Sequence, residues 1–152
     1  MESRADLIPS ARRYLAFLDT QPNVIRHGMV KPIEIAGASE RIDIWLACYD
    51  YREDVNADET GVSNSHKIME YLATGKVVVS NLFTMYADVS ELLSMMPTPS
   101  NDGFADHFSS VVDGLDDWNR LELQQRRIDF ALSNTYQGQA ERLLSLLEDL
   151  DS

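Results

Sequence analysis

The sequence has few cysteines, few histidines and no long apolar run, and each shortage excludes a class of protein. With Cys48 as its single cysteine, the chain makes no internal disulfide bond and no cysteine-based zinc site. The three histidines lack a metal-ligand spacing such as HExxH, so we expect no metal. No apolar stretch approaches the roughly 18 residues that a membrane span needs. Because the first residues also lack the apolar core of a signal peptide, we expect a cytoplasmic protein.

Basic residues are also scarce. The chain has 13 lysines and arginines against 25 aspartates and glutamates, which gives a formal net charge of -12. A nucleic-acid-binding protein needs a basic surface to offset phosphate charge, so we expect no nucleic acid among the partners. A site for an anionic nucleotide would have to use local donors, such as backbone amides, the start of a helix or a few cations. The sequence lacks the G-x-S-x-G, Walker A and G-x-G-x-x-G motifs.

The patterns that are present predict an α/β fold. Hydrophobic residues make up 44% of the chain, enough for one domain with its own core. Helical and strand patterns alternate, which predicts a parallel sheet flanked by helices. The predicted helices cover residues 9–18, 32–40, 65–74, 102–112, 117–132 and 136–150. The predicted strands cover residues 24–27, 42–49, 77–80 and 91–96. The polar stretch 50–63 fits a functional loop and a solvated surface loop equally well.

Two of these elements carry a prediction about burial. Residues 42–49 are apolar almost throughout, which is typical of a strand buried on both faces. Residues 136–150 have an apolar stripe that we expect to pack in the core, with a partner-binding helix as the alternative. The stripe consists of Tyr136, Ala140, Leu143, Leu144, Leu147 and Leu150.

Four single residues are also given a prediction. We expect Trp45 and Trp118 to be packing residues. At His27, a packed or hydrogen-bonded role is favoured over a catalytic one. His107 is expected on the surface of a helix.

The segment 64–80, with the sequence NSHKIMEYLATGKVVVS, is the candidate for chemistry. On a helical wheel Ile68, Met69 and Leu72 share one side, and the opposite side holds Ser63, His66, Lys67 and Glu70. The free N–H groups at the start of such a helix favour an anion, and Lys67 adds a positive charge. Glu70 could accept two hydrogen bonds from a vicinal diol such as a ribose. The alternative is an ordinary solvent-facing side with a Lys–Glu pair.

The same segment resembles the S-x-K-x-x-E-Y-L-A-x-G-K-x-V-V-S stretch of bacterial glycosyltransferases of the GT-B fold, related to the glycosyltransferase 4 group. The resemblance implies that Glu70 binds the ribose hydroxyls of a nucleoside-diphosphate sugar. It also implies that the helix start contacts the diphosphate through Asn64, Ser65, His66 and Lys67. These enzymes need no catalytic metal, and the resemblance implies no cofactor.

Further stretches resemble the same family in the same order. Residues 22–35 resemble its p-N-V-x-f-x-G-x-v segment, which implies a base pocket at Gly28, Met29, Val30 and Lys31. Residues 42–49 resemble its a-D-I-x-L-x-P-y strand, and residues 134–136 resemble its N-T-W helix start. The implied fold is a Rossmann-like parallel sheet flanked by helices, half of a GT-B architecture, with C-terminal helices.

The sequence also departs from the family. Val62 stands where many members carry a second glutamate, and the family's first strand, glycine-rich turn and basic pair do not precede Arg4. We therefore expect residues 1–152 to be a single, truncated donor-binding domain of a hexosyl-transferring enzyme, inactive by itself. Its catalytic residues are not identified. A missing N-terminal domain would hold the acceptor and could make peripheral membrane contact.

Two alternatives to this interpretation remain open. One is a non-catalytic α/β interaction domain with a degenerate donor site. The other is a different sugar-nucleotide enzyme of GT-B shape, such as an epimerase.

Overall fold

A computed structural model describes residues 9–28, 31–49, 57–58, 61–62 and 66–150. The chain divides into two compact units, Met1–Ile35 and Ala36–Ser152, which are described separately. In order, the elements are helices α1 (Pro9–Asp19) and α2 (Pro32–Ala38), strands β1 (Ile44–Ala47), β2 (Ala57–Asp58) and β3 (Gly61–Val62), helix α3 (His66–Leu72), strands β4 (Val77–Ser80) and β5 (Ser94–Met95), and helices α4 (Phe104–Asp113), α5 (Leu115–Trp118), α6 (Leu121–Ser133) and α7 (Tyr136–Leu150). Short 3-10 turns cover Ser39–Arg41 and Thr84–Val89.

The first unit confirms the predicted helix 9–18 as α1 but not the strand that was predicted after it. Residues 24–27 have no strand pairing among the described residues. Ile25 is 79% exposed, and Arg26 pairs with Asp19 at 2.8 Å between Nε and Oδ1. The prediction of a strand at residues 24–27 was wrong, because two apolar residues, Val24 and Ile25, are too few to indicate that a partner strand is present.

The second unit is built around a three-stranded parallel sheet. The strand order is β1-β4-β5, with Ile44 opposite Val77 and Ser80 opposite Met95. Helix α3 lies in the crossover between β1 and β4, as parallel pairing requires. Strands β2 and β3 form a separate antiparallel pair within the same crossover, in which Val62 lies opposite Ala57.

Helices cover both faces of the central strand β4, whose four residues are all buried. Successive side chains point to opposite faces of a strand. Val78 accordingly packs in one cluster with Ile68 and Leu72 of α3, while Val77 and Val79 pack with Val111 of α4. The predicted α/β class, a parallel sheet flanked by helices, is thus confirmed.

Strand β1 was correctly predicted as a strand, but the prediction that it is buried on both faces was wrong. Ala47 is its one buried residue, and Leu46 is 51% exposed. Among the strands that the structure describes, β1 pairs only with β4 and therefore lies at the edge of the sheet.

The C-terminal helices differ from the sequence prediction in two ways. The predicted helix 117–132 is two helices, α5 and α6, separated at Asn119. The Asn119 side chain accepts a hydrogen bond from the Val77 amide at 2.9 Å and donates one to the Asp43 carbonyl at 2.8 Å, so it joins the first residues of the sheet. The bounds of α7 were predicted correctly. The described members of its apolar stripe are exposed, so the prediction that they pack in the core was wrong, and the side chain of Leu150 lies outside the described residues.

Candidate functional site

Helix α3 has the two sides that the sequence predicted. Ile68 and Leu72 are fully buried and Met69 is partly buried, whereas Lys67 and Glu70 are exposed. The core therefore fixes the helix while both charged side chains remain accessible to a ligand.

Part of the predicted phosphate site cannot be compared with the structure. Ser63, Asn64 and Ser65 lie outside the described residues. His66 is the first residue of α3, but its side chain is also outside the description. The phosphate site at these positions remains a prediction.

Contacts with strand β1 hold α3 in place. The rings of Trp45 and Tyr71 are stacked, with centroids 4.4 Å apart and planes 5° from parallel. Trp45 Nε1 also donates a hydrogen bond to Thr74 Oγ1 at 2.8 Å. These contacts confirm the prediction that Trp45 is a packing residue. Trp118 packs against the cluster on the other face of the sheet, as was also predicted.

The direction of α3 places its first turn on the carboxyl side of the sheet. The helix ends at Leu72, and β4 begins five residues later at Val77. The helix therefore runs against the strands, from their carboxyl ends to their amino ends. In open α/β sheets, ligands bind in the crevice outside the carboxyl ends of the strands.

Two asparagines that the sequence analysis did not single out, Asn81 and Asn101, form a closed hydrogen-bonded ring with the main chain of Tyr49 at that carboxyl edge. Asn81 Oδ1 accepts from the Tyr49 amide, Asn81 Nδ2 donates to Asn101 Oδ1 at 3.0 Å, and Asn101 Nδ2 donates to the Tyr49 carbonyl at 2.9 Å. The signal for Asn81 was its place directly after the buried strand VVVS. These hydrogen bonds fix both asparagine side chains at the edge of the sheet and use one of the two N–H groups of each amide.

Tyr71 and Glu70 are electrostatically linked. The pKa of the Tyr71 phenol is raised above its ordinary value, mainly by burial and further by Tyr49 and the Glu70 carboxylate. Tyr71 therefore stays protonated and neutral at physiological pH. The exposed Glu70 carboxylate thus stands beside a rigid aromatic stack.

The residues predicted to line a base pocket belong to the first unit, whereas Lys67 and Glu70 belong to the second. Gly28 has a φ of 68°, which suits a glycine, and is exposed. The Lys31 amide already donates to Glu34 Oε2 at 2.8 Å, so this N–H is engaged. Met29 and Val30 lie outside the described residues.

Two histidine predictions were wrong. His27 is exposed and makes no hydrogen bond within the described ranges, so it is not a packed residue. His107 is not a simple surface residue but is partly buried, with Nε2 at 3.1 Å from Ser94 Oγ and 3.2 Å from the Ser94 carbonyl. The helical spacing of residues 102–112 does not show that Ser94 of β5 lies next to His107 of α4.

Two hollows in the described part of the second unit lie away from α3. One, beside His107, has a volume of about 420 Å³ and is lined largely by apolar side chains, together with Ser90, Ser94 and His107. A second hollow of about 570 Å³ lies where α6 meets α7. Neither is lined by Lys67 or Glu70, which stand on an open surface.

The described residues contain no metal-ion cluster and no membrane-spanning helix, and the comparisons with known proteins identify no family for this chain. In the parts that the structure covers, no three histidine, cysteine or acidic side chains are grouped to hold a metal ion. No described helix combines the length and the apolar character needed to cross a membrane. No protein-family model, curated protein or solved structure matches the chain. The class defined here is an α/β domain with a parallel three-stranded sheet flanked by helices.

Proposed function

We propose that this chain is the nucleotide-sugar-binding part of a glycosyltransferase of the GT-B type. The observation that carries the proposal is the two-sided helix α3 in a parallel β-α-β unit. Its buried side fixes the helix to the sheet, and its exposed side holds Lys67 and Glu70 one turn apart. The resemblance of segment 64–80 to the family's donor-binding stretch supports the same assignment.

The chemistry of the two exposed side chains suits a nucleoside-diphosphate sugar. A carboxylate has several acceptor sites and can bind both hydroxyls of a ribose, the role proposed for Glu70. An ammonium group such as that of Lys67 forms strong charge-assisted hydrogen bonds with phosphate oxygens. Because the chain has a net charge of -12, local donors of this kind would be essential for an anionic ligand.

The reaction proposed is transfer of a hexosyl group from the nucleoside diphosphate to an acceptor on an N-terminal acceptor domain. Stabilising the departing diphosphate and positioning the acceptor would supply the rate enhancement, without a nucleophile from this chain. The chain by itself is therefore expected to bind a donor without transferring its sugar. Any peripheral membrane contact would involve the acceptor domain.

Calorimetric titration with UDP-, GDP- and dTDP-sugars tests this proposal. Wild-type protein should bind one of them, and Glu70→Ala should weaken that binding at least about tenfold, since hydrogen bonds to a charged acceptor are lost. Glu122→Ala is the matched control, because Glu122 is an exposed glutamate on α6. Folded protein that binds none of the donors would sink the proposal, and so would equal affinities for the Glu70→Ala and Glu122→Ala variants.

A second candidate is a non-catalytic α/β interaction domain with a degenerate donor site. The observation that favours it is the exposed apolar side of α7, where Leu143, Leu144 and Leu147 are each at least half exposed. Val62, in place of the family's second glutamate, agrees with it. Under this alternative the protein would be folded and associating, yet would bind no sugar nucleotide.

A further inference from the structure

Helix α7 turns its apolar side away from the core of the second unit. Leu143 and Leu144 are 60% exposed, Leu147 is 50% exposed, and Tyr136 is 94% exposed. Within the described residues, neither core cluster contains a side chain from α7. These side chains lie on one side of the helix, and exposed apolar residues grouped in this way mark an interaction site.

The polar side of α7 is the side attached to the rest of the unit. Arg142 donates to the Ser133 carbonyl at the end of α6. The Gly138 amide donates to Thr135 Oγ1 at 3.2 Å, a bond that caps the start of α7. A Cβ at Gly138 would approach the Ser133 carbonyl oxygen to 3.1 Å, so the turn between α6 and α7 is tight. An isolated helix of 15 residues is only marginally stable in water, so the leucines of α7 need a partner.

The spacing of the apolar residues is that of a helix-pairing seam. Five positions follow each other at intervals of four, three, four and three residues, the heptad pattern of coiled coils. They are Tyr136, Ala140, Leu143, Leu147 and Leu150. The positions that flank the seam carry no charge, being Gln137, Gln139, Leu144 and Leu146. The charged residues lie farther from it, at Glu141, Arg142, Glu148 and Asp149.

The charge pattern of α7 favours a second copy as the partner. Two copies of a chain with a net charge of -12 repel each other, but the seam and its flanks are uncharged and therefore add no close like-charge pair to that repulsion. A membrane surface fits less well, because helices that lie on membranes carry a basic polar side. The polar side of α7 has one arginine and three acidic residues.

We propose that α7 pairs antiparallel with α7 of a second copy of this chain, with Leu143 at the two-fold axis. In this register the small Ala140 of one copy faces Leu147 of the other. A parallel pair would place Ala140 against Ala140 and align the two helix dipoles unfavourably. This dimer is independent of whether the chain binds a sugar nucleotide.

The area that two copies of α7 can bury against each other determines how tightly the dimer should form. The seam would bury on the order of 500 Å² per copy, against about 800 Å² in a standard interface. The dimer is therefore weak and reversible, with a dissociation constant in the micromolar range.

Sedimentation analysis over a range of protein concentrations tests the proposal. The wild type should shift from monomer to dimer as its concentration rises. Leu147→Asp should raise the dissociation constant at least about 30-fold, the change that corresponds to a hot-spot residue of about 2 kcal/mol. Leu121→Asp is the matched control, because Leu121 is 83% exposed and lies on α6 away from the seam. A wild type that stays monomeric at every concentration would overturn the proposal and would mean that a different partner covers the apolar side of α7. Equal dissociation constants for Leu147→Asp and Leu121→Asp would overturn it as well.

Disulfide trapping tests the register even if Leu147→Asp fails to fold. In a Cys48→Ser background, Leu143→Cys should give a covalent dimer on oxidation, because the two cysteines would meet at the axis. Ser145→Cys, on the polar side of α7, should give little. Equal trapping at the two positions would contradict the antiparallel register centred on Leu143.

Discussion

The guanidinium group of Arg127 donates a hydrogen bond to the main-chain carbonyl of Gly75, 3.0 Å away, at the turn between α3 and β4. Its Nε donates a second one to the Leu92 carbonyl at 2.9 Å. Arg127 is fully buried, and burial lowers its pKa to about 10. One buried cation from α6 thus ties together two main-chain segments beside the candidate site.

Arg127→Ala should reduce the free energy of unfolding by about 3 kcal/mol, because it leaves two buried carbonyls without a donor and opens a cavity. The neighbouring Arg126 is the matched control. It forms an exposed pair with Glu91, and Arg126→Ala should cost less than about 1 kcal/mol. Denaturant unfolding of both variants measures the difference. Equal losses of unfolding free energy in the two variants would show that the buried hydrogen bonds of Arg127 do not stabilise the fold.

Gly75→Ala should destabilise the protein more than Gly103→Ala, although the two glycines have nearly the same backbone angle, with φ at 78° and 79°. The left-handed conformation costs either alanine about 1 kcal/mol. At Gly75 a new Cβ would also approach Gln124 and Ile128 to 3.2 Å, whereas at Gly103 it would meet nothing within 4 Å.

The extra loss at Gly75 should be at least about 1 kcal/mol, the usual cost of overpacking. The measurement is the midpoint of chemical denaturation for both variants under the same conditions. Equal midpoints would mean that α3 and α6 are not closely packed at this turn.

Local patterns predicted elements best where the pattern itself decides the structure. The run Val77–Val79 is apolar and follows Gly75, and the strand Val77–Ser80 was predicted with the bounds that the structure shows. The 3–4 spacing of residues 136–150 likewise predicted the bounds of α7. Both results follow from properties of the segment alone.

The errors come from features that depend on what lies next to a segment. Leu46 is apolar in sequence but exposed, because β1 is an edge strand. The leucines of α7 have core spacing but face away from the core. Asn119 breaks a helical pattern because its side chain bonds the sheet, a contact that joins residues far apart in sequence. At the candidate site, the sides of α3 were predictable from spacing, but the ring of Asn81 and Asn101 was not.

Tyr86→Phe should reduce the loss of stability at alkaline pH. Burial raises the pKa of the Tyr86 phenol above its ordinary value of 10.0 in the folded protein. Below that pH the phenol is protonated in both states and has no effect. Above it the unfolded chain ionises first, so the free energy of unfolding falls as pH rises.

Urea unfolding at about pH 9 and about pH 11 measures this effect. The decrease between the two values should be smaller in Tyr86→Phe than in the wild type. Tyr14→Phe, which removes an exposed hydroxyl, is the control and should behave as the wild type does. The same decrease in all three proteins would contradict the assignment to burial at Tyr86.

The proposed function depends on the binding of a nucleoside-diphosphate sugar at the first turn of α3. The most direct measurement is the change in backbone amide NMR shifts when the best-binding of the UDP-, GDP- and dTDP-sugars is added to the folded chain. If the donor binds there, the shift changes in the second unit should cluster at residues 66–70 and disappear in Glu70→Ala. Changes confined to the hollow beside Ser94 and His107, or no changes with any of these donors, would contradict it.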